Sequence, residues 1–284
     1  MAKEIHTILS IGGSDSSGGA GVQADIRTSL ACGLFPMTAI TAITAQNSKG
    51  VSAVSPVSSE LLLNQLESIF NEKKPEAIKI GILGCCQNII TVSKFLKKHA
   101  EGIPVVVDPV IRATTGGELN IDTKEVIAAF LNHLFPISTV VTPNIKEARL
   151  FTESSFSKEE LAFRFLNISN ADSIVLKSGD DEDEDIISDF LAIKGDDKDS
   201  ILSYTSPRIK GANFHGTGCS FATLLASGLA YGLSISQAFR FASFNMKKVI
   251  EYSLNLNFSS FDYPPLAIGY NPDFPPINPL FFKI

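Results

Sequence analysis

The sequence predicts an α/β fold: a mostly parallel central sheet flanked by helices, with an antiparallel edge. Short apolar, β-branched runs alternate with amphipathic helical segments, the pattern of βαβ units. Several of those runs end in polar residues or glycine, as in "GGSD", "AQN", "DPV", "TPN" and "KSG". After Gly179 the alternation stops, and two successive β-type runs follow.

In order, "HTILSIGGSD" reads as a buried strand entering a glycine loop. Val22, Ile26 and Leu30 then recur at four-residue spacing, predicting a helix that ends at Gly33. "MTAITAITAQ" is a second strand, and "SELLLNQLESIF" a helix with Leu62, Leu66, Ile69 and Phe70 on one face. "AIKIGIL" and "IPVVVDPV" are strands around a helical "NIITVSKFLKKHA". "EVIAAFLNHLF" is a helix, "STVVTPN" a strand, "SKEELAFRFLN" a helix and "SIVLKSG" a strand. "IISDFLAIKG" and "SILSYTSPRIKG" form an edge hairpin. Phe221, Leu224, Leu225, Gly228 and Leu229 mark a buried helix after "HGTGCS". The Pro- and Phe-rich end, residues 259–284, is expected to lie extended over the surface or on a partner. No repeat, linker or second core is visible, so residues 1–284 are expected to form one domain.

The chain has 284 residues, 44% of them hydrophobic, enough for a sizeable core. Its formal charge of −6 argues against nonspecific binding to nucleic acid or anionic membranes. Cys32, Cys85, Cys86 and Cys219 show no metal-type or disulfide-type spacing, which fits a reducing cytoplasm. No apolar run approaches the roughly 20 residues of a membrane helix, and the N-terminus is too weakly apolar for a secretory signal. The acidic run Asp180–Asp185 lacks the spacing of a calcium loop and reads as solvated.

Ligands of open α/β sheets bind at the C-terminal ends of strands, so the polar strand ends mark one candidate site. At the start of the helix after "HGTGCS", free N–H groups and a partial positive charge suit an anion. Gly216, Thr217, Gly218 and Cys219 are the candidate anion loop; a plain turn into a buried helix is the alternative. A thiol there is expected to have its pKa lowered and can act as a base, or it is inert packing. Asp108 ends one strand, and Asn144 and Glu147 follow another at i, i+3 spacing. They suit Mg²⁺ on nucleotide phosphates, while Asn144 and Glu147 also read as a capping box. Lys177 ends an apolar strand, where its charge needs an anion or an escape to solvent. "GGSDSSGGAGVQAD" is not a P-loop. With "ITAQNS" it can wall a pocket for a small polar ring, Gln46 offering both donor and acceptor. His6, His99 and His133 are assigned no chemistry, and His215 is read as structural.

The ordered set "ILSIGGSDSSGGAGVQADIRT", "TAITAITAQNSKGV", "KIGIL", "VVVDPV", "TPNIKEA", "VLKSG" and "NFHGTGCSFA" resembles the ribokinase-like superfamily. Within it the chain is most similar to hydroxymethylpyrimidine/phosphomethylpyrimidine kinases of thiamine biosynthesis, over residues 8–250. Most sugar kinases of the superfamily carry aspartate where this chain has Cys219. The resemblance implies a three-layer fold, a cytoplasmic homodimer, and ATP- and Mg²⁺-dependent phosphorylation of a pyrimidine hydroxymethyl group and then of the monophosphate. It places Gln46 on the pyrimidine edge and Gly13, Ala20 and Val110 around the ring, with Ile82 over it and Asp25 in contact. It gives Gly216, Thr217 and Gly218 the transferring phosphoryl group, Cys219 the base position and Lys177 phosphate neutralisation. Asp108 and Glu147 organise Mg²⁺, with Asn144 beside them.

The chain departs from the family pattern in four places. Ile82 replaces a methionine, and Thr114 replaces a lysine for which Arg112 can compensate. "KSGD" replaces "KGGH" at 177–180, and the tail lacks a His-Gly-Pro motif. Two other readings compete. One is a pyridoxal or pyridoxine kinase on the same scaffold, which Gln46 and Ile82 disfavour. The other is a non-catalytic vitamin or nucleotide sensor, which the complete machinery disfavours.

Overall fold

A computed structural model describes residues 5–47, 49–111, 123–152, 156–179, 185–195, 198–211, 213–256, 264–269 and 276–283. Nine strands form one sheet: β1 (Thr7–Asp15), β2 (Phe35–Asn47), β3 (Gly50–Pro56), β4 (Ala77–Ile80), β5 (Val105–Val107), β6 (Val140–Val141), β7 (Ser173–Leu176), β8 (Ile186–Ile193) and β9 (Ser200–Pro207). Their order is β3-β2-β1-β4-β5-β6-β7-β8-β9. The six strands from β2 to β7 in that order are mutually parallel, while β3 at one end and β8 and β9 at the other are antiparallel. The chain thus steps outward from β1 in both directions, which opens a crevice beyond the strand ends at that switch point.

The central strands are buried on both faces, so their side chains alternate between two apolar layers. Leu9, Ile78, Val105, Val107, Val141, Ile174 and Leu176 pack with α2 (Ser59–Glu72), α3 (Cys86–His99), α4 (Thr123–Ala129), α5 (Ile145–Thr152) and α6 (Lys158–Ser169). Ile8, Ala77, Val106, Val140 and Val175 face the opposite layer, with α7 (Thr217–Ala230) and α8 (Ile235–Ser253). Helix α1 (Gly21–Ala31) lies against β1 and α7. The predicted helix over "EVIAAFLNHLF" is α4 followed by a π turn at Phe130–Leu134.

Several features go beyond the sequence pattern. The stripe Val22, Ile26 and Leu30 is not the buried face of α1: Leu30 is 55% exposed, and Asp25, Thr28 and Ser29 are buried with Val22. The reason is that this helix lies over the strand-end crevice, where polar groups gather. The tail is not a surface strap where it is described. Leu266, Ala267 and Ile268 are buried, Pro265 pairs with His215, and Phe282 packs on Phe241 and Phe244. Strand β3 and helix α8 were not anticipated from the sequence. Arg112, Thr114 and the acidic stretch 180–184 lie outside the described residues. Among the described residues no helix is long and apolar enough to cross a membrane, and all four cysteines are thiols.

Candidate active site

The strand ends and the start of α7 enclose a cavity of about 1060 Å³, at the top of the usual range for small-ligand pockets and roomy enough for two ligands. Gly13, Ala20, Asp25, Gln46, Ile82, Asp108, Val110, Asn144, Glu147, Lys177 and the run Gly216 to Cys219 all line it. Residues spread over most of the chain therefore converge, because each terminates a parallel strand or begins a helix on the same edge of the sheet.

The anion loop follows from its glycines. Gly216 caps α7 at φ 85°, a left-handed conformation, and a Cβ there would collide with the backbone of Gly19. No side chain caps this helix, so the first-turn amides keep their hydrogens for a ligand. A Cβ at Gly218 would stand 3.3 Å from Lys177 Nζ and 3.7 Å from Asp108 Oδ2. Glycine thus leaves the ammonium, the carboxylate and the helix N-terminus open to one another.

Lys177 Nζ is 2.7 Å from Asp108 Oδ1, with Thr142 Oγ1 3.3 Å from the same oxygen. Lys177 does not reach bulk solvent freely; its charge is paired inside the cavity. Asn144 and Glu147 do form the capping box: Glu147 N donates to Asn144 Oδ1 at 2.7 Å, and Asn144 N donates to Glu147 Oε2 at 2.9 Å. This orients both side chains at the cavity wall. No group of three acidic, histidine or cysteine side chains suited to a metal ion occurs among the described residues. Asp108 and Glu147 both line the cavity, and a pair of carboxylates completed by water and phosphate oxygens is a donor set that fits Mg²⁺.

Beneath the floor lies a charge pair that the sequence reading missed. Asp25 and Lys79 are 0% and 1% exposed, with Nζ 2.9 Å from both carboxylate oxygens. Ser10 and Thr223 also donate to Asp25, Thr223 at 2.8 Å. Burial works against the Lys79 ammonium, but Asp25 first, then Cys219 and Asp108, outweigh it and raise its pKa. Asp25 therefore belongs to a buried network under the cavity, its carboxylate already committed. The signal was present in "AIKIGIL": a lysine inside a central strand must find a partner.

The expected lowering of the Cys219 pKa is not met. Burial pushes the thiol up to about 11; Lys79 pulls it down, but Asp108 and Asp25 push it further up. Loss of water is the largest influence on the thiol. Two more groups gain a place in the site from the structure. Asp189 on β8 accepts from Ser178 N at 2.7 Å, and burial raises it to about 6 despite Ser178 and Lys177. His215, read as structural, is buried in the cavity wall between Asp15 and Gln46.

A family model described as phosphomethylpyrimidine kinase matches residues 15–263. The hydroxymethylpyrimidine/phosphomethylpyrimidine kinase of Bacillus subtilis is 36% identical over 255 residues, covering 89% of this chain and 92% of the relative. A thiamine biosynthesis bifunctional protein of Geobacter sulfurreducens is 34% identical over 94% of this chain and 51% of its own length. Among solved structures, the pyridoxal kinase from Staphylococcus aureus in complex with AMP-PCP and pyridoxal superposes with a TM-score of 0.80 at 27% identity. That match covers 97% of this chain and 98% of the other. Phosphomethylpyrimidine kinase from Clostridium difficile gives 0.69 at 29% identity, covering 85% and 99%.

Proposed function

The chain belongs to the phosphomethylpyrimidine kinase family, and we propose that the cavity beyond the strand ends is where it performs that chemistry. It is an ATP-dependent kinase of 4-amino-5-hydroxymethyl-2-methylpyrimidine and of its monophosphate, in thiamine biosynthesis. The observation that carries the assignment to this cavity is the convergence of the α7 N-terminus, Lys177 and Asp108 on one point.

In this reading the pyrimidine lies between Gly13, Ala20, Val110 and Ile82, with its polar edge on Gln46, and Asp25 acts from below through its buried network. The first-turn amides of α7 and the Lys177 ammonium receive the γ-phosphoryl group. They hold it in line with the acceptor and stabilise the charge that spreads over its oxygens. The thiolate form of Cys219 accepts the proton of the hydroxymethyl group as its oxygen bonds to phosphorus, the bond to the β–γ bridging oxygen breaks, and ADP leaves. Asp108 and Glu147, with Asn144, would hold Mg²⁺ through water. When bound, the ion supplies neutralisation of the phosphate oxygens. The same proposal includes a single ribokinase-like domain, a cytoplasmic location and a homodimer, the last two supported by the family resemblance.

A second reading, pyridoxal phosphorylation, is favoured by the likeness to the pyridoxal kinase structure. An ADP-release assay with hydroxymethylpyrimidine, its monophosphate and pyridoxal decides between them. Turnover of both pyrimidines is expected. Pyridoxal alone as a substrate would replace the first reading with the second, and no turnover of any of the three would sink both.

A further inference from the structure

His215 Nε2 lies 3.0 Å from Asp15 Oδ2 and 2.7 Å from the Gln46 amide end assigned as Nε2. A single ring nitrogen cannot donate to one and accept from the other, so each contact constrains the other's chemistry. Asp15 also accepts from the backbone N–H groups of Ser17 and Ala20 at 2.8 Å each. Burial pulls its carboxyl up, but His215, Ala20 and Ser17 outweigh that and hold it at about 2. An ionised carboxylate only accepts, so Nε2 carries a proton. The amide end beside it must then be the carbonyl oxygen, because Gln46 Nε2 at that place would set N–H against N–H. Amide oxygen and nitrogen are told apart by such partners.

The far end of the amide gives the same answer independently. That end, assigned as Oε1, stands 3.4 Å from Thr44 Oγ1. The hydroxyl proton of Thr44 is already donated to the Ser14 carbonyl at 2.9 Å, so toward Gln46 it presents a lone pair and calls for N–H.

We propose that Asp15 and His215 are positioning residues that cap the Gln46 carbonyl and turn its NH₂ group toward the substrate, so that the chain recognises a ring by an acceptor nitrogen. The proposal rests on Gln46 being the ring contact of the pyrimidine kinase. The ring nitrogen beside the amino group of hydroxymethylpyrimidine is such an acceptor. A ring presenting a donor at that position leaves two N–H groups opposed.

The test has two arms. Nitrogen-15 NMR of the full chain reads the His215 tautomer without any substrate. A protonated Nε2 is expected, and an unprotonated Nε2 would overturn the proposal. In kinetics, His215→Phe keeps an aromatic ring where Gly19 leaves space for one but removes the donor. Its KM for hydroxymethylpyrimidine should rise about 10–100-fold, the scale of one lost buried hydrogen bond. Its kcat and its KM for ATP should stay within about 3-fold of wild type on the same scale. His215→Gln, with two N–H donors, should recover most of the loss. Asp15→Asn, which no longer demands a donor from Nε2, should reproduce the KM effect if His215→Phe does not fold. A fall in kcat at unchanged KM, or an equal rise in KM for ATP, would refute the positioning role. Failure of the wild type to phosphorylate any pyrimidine would sink the proposed function instead, and the NMR arm would still decide the relay.

Discussion

Replacing Cys219 with alanine should slow the first phosphorylation far more than the second. The nucleophile of the first step is a neutral hydroxyl whose proton must go somewhere. That of the second is a phosphate monoester oxygen, with a second pKa near 6, already anionic at pH 7.5. A base therefore helps the first step by roughly 10²–10⁴-fold and the second hardly at all. The environment of Cys219 sharpens this. Its thiol sits at about 11, so at pH 7.5 about one molecule in 3000 holds the thiolate, a free-energy cost of about 5 kcal/mol. The wild-type kcat with hydroxymethylpyrimidine should therefore climb about tenfold per pH unit between pH 7 and 10, while kcat with the monophosphate should not. The assay is ADP release with each substrate, in wild type and Cys219→Ala, across that range. Equal losses on both substrates, together with a flat wild-type profile, would show that Cys219 shapes the loop and takes no proton.

Three further outcomes follow from the charges around the cavity. Lys79→Met leaves the Asp25 carboxylate buried without its cation and should cost about 3–5 kcal/mol in urea unfolding; a loss under about 1 kcal/mol would mean that water reaches Asp25. Asp15 has a folded pKa of about 2 against 3.8. Its stabilisation, about 2 kcal/mol, is thus present above pH 4 and fades as the pH falls toward 2, so unfolding of Asp15→Asn should lack that acid limb. Asp189 is shifted the other way, from 3.8 to about 6. The folded state holds the extra proton in that window, so stability drops as the pH rises through it. Asp189→Asn should gain up to about 3 kcal/mol at pH 8 and nothing at pH 4; an equal effect at both would remove the ionisation as its cause.

The parts of this protein legible in its sequence are those governed by local pattern. Strands β1, β2 and β4 to β7 show as β-branched runs, and the β8–β9 hairpin shows as a break in the helix–strand rhythm. The strand-end residues of the site were legible for the same reason, since polar punctuation of an apolar run is visible without coordinates. What pattern does not carry is the identity of each helix's neighbour. Helix α1 displays an apolar stripe, yet Leu30 faces out and Asp25 faces in, because the partner surface is a polar crevice. Strand β3, GVSAVSP, is an edge strand with no apolar–polar alternation, too weak a signal to separate from a loop. Helix α8 carries a readable start, the capping box of Ser234 and Gln237. Asp15 and His215 could not be paired from sequence at all, since nothing in either neighbourhood names a residue 200 positions away.

That separation has a consequence for how the protein comes into being. The loop carrying Asp15 meets His215 across 200 residues, and Asp25 meets Thr223 across 198. At a synthesis rate of about 5–20 residues per second, the first wall of the site waits roughly 10–40 s on the ribosome before its counterpart is made. Lys79, only 54 residues after Asp25, reaches that carboxylate much sooner. The nascent chain can therefore pair its buried charges early, long before it can bind either ligand.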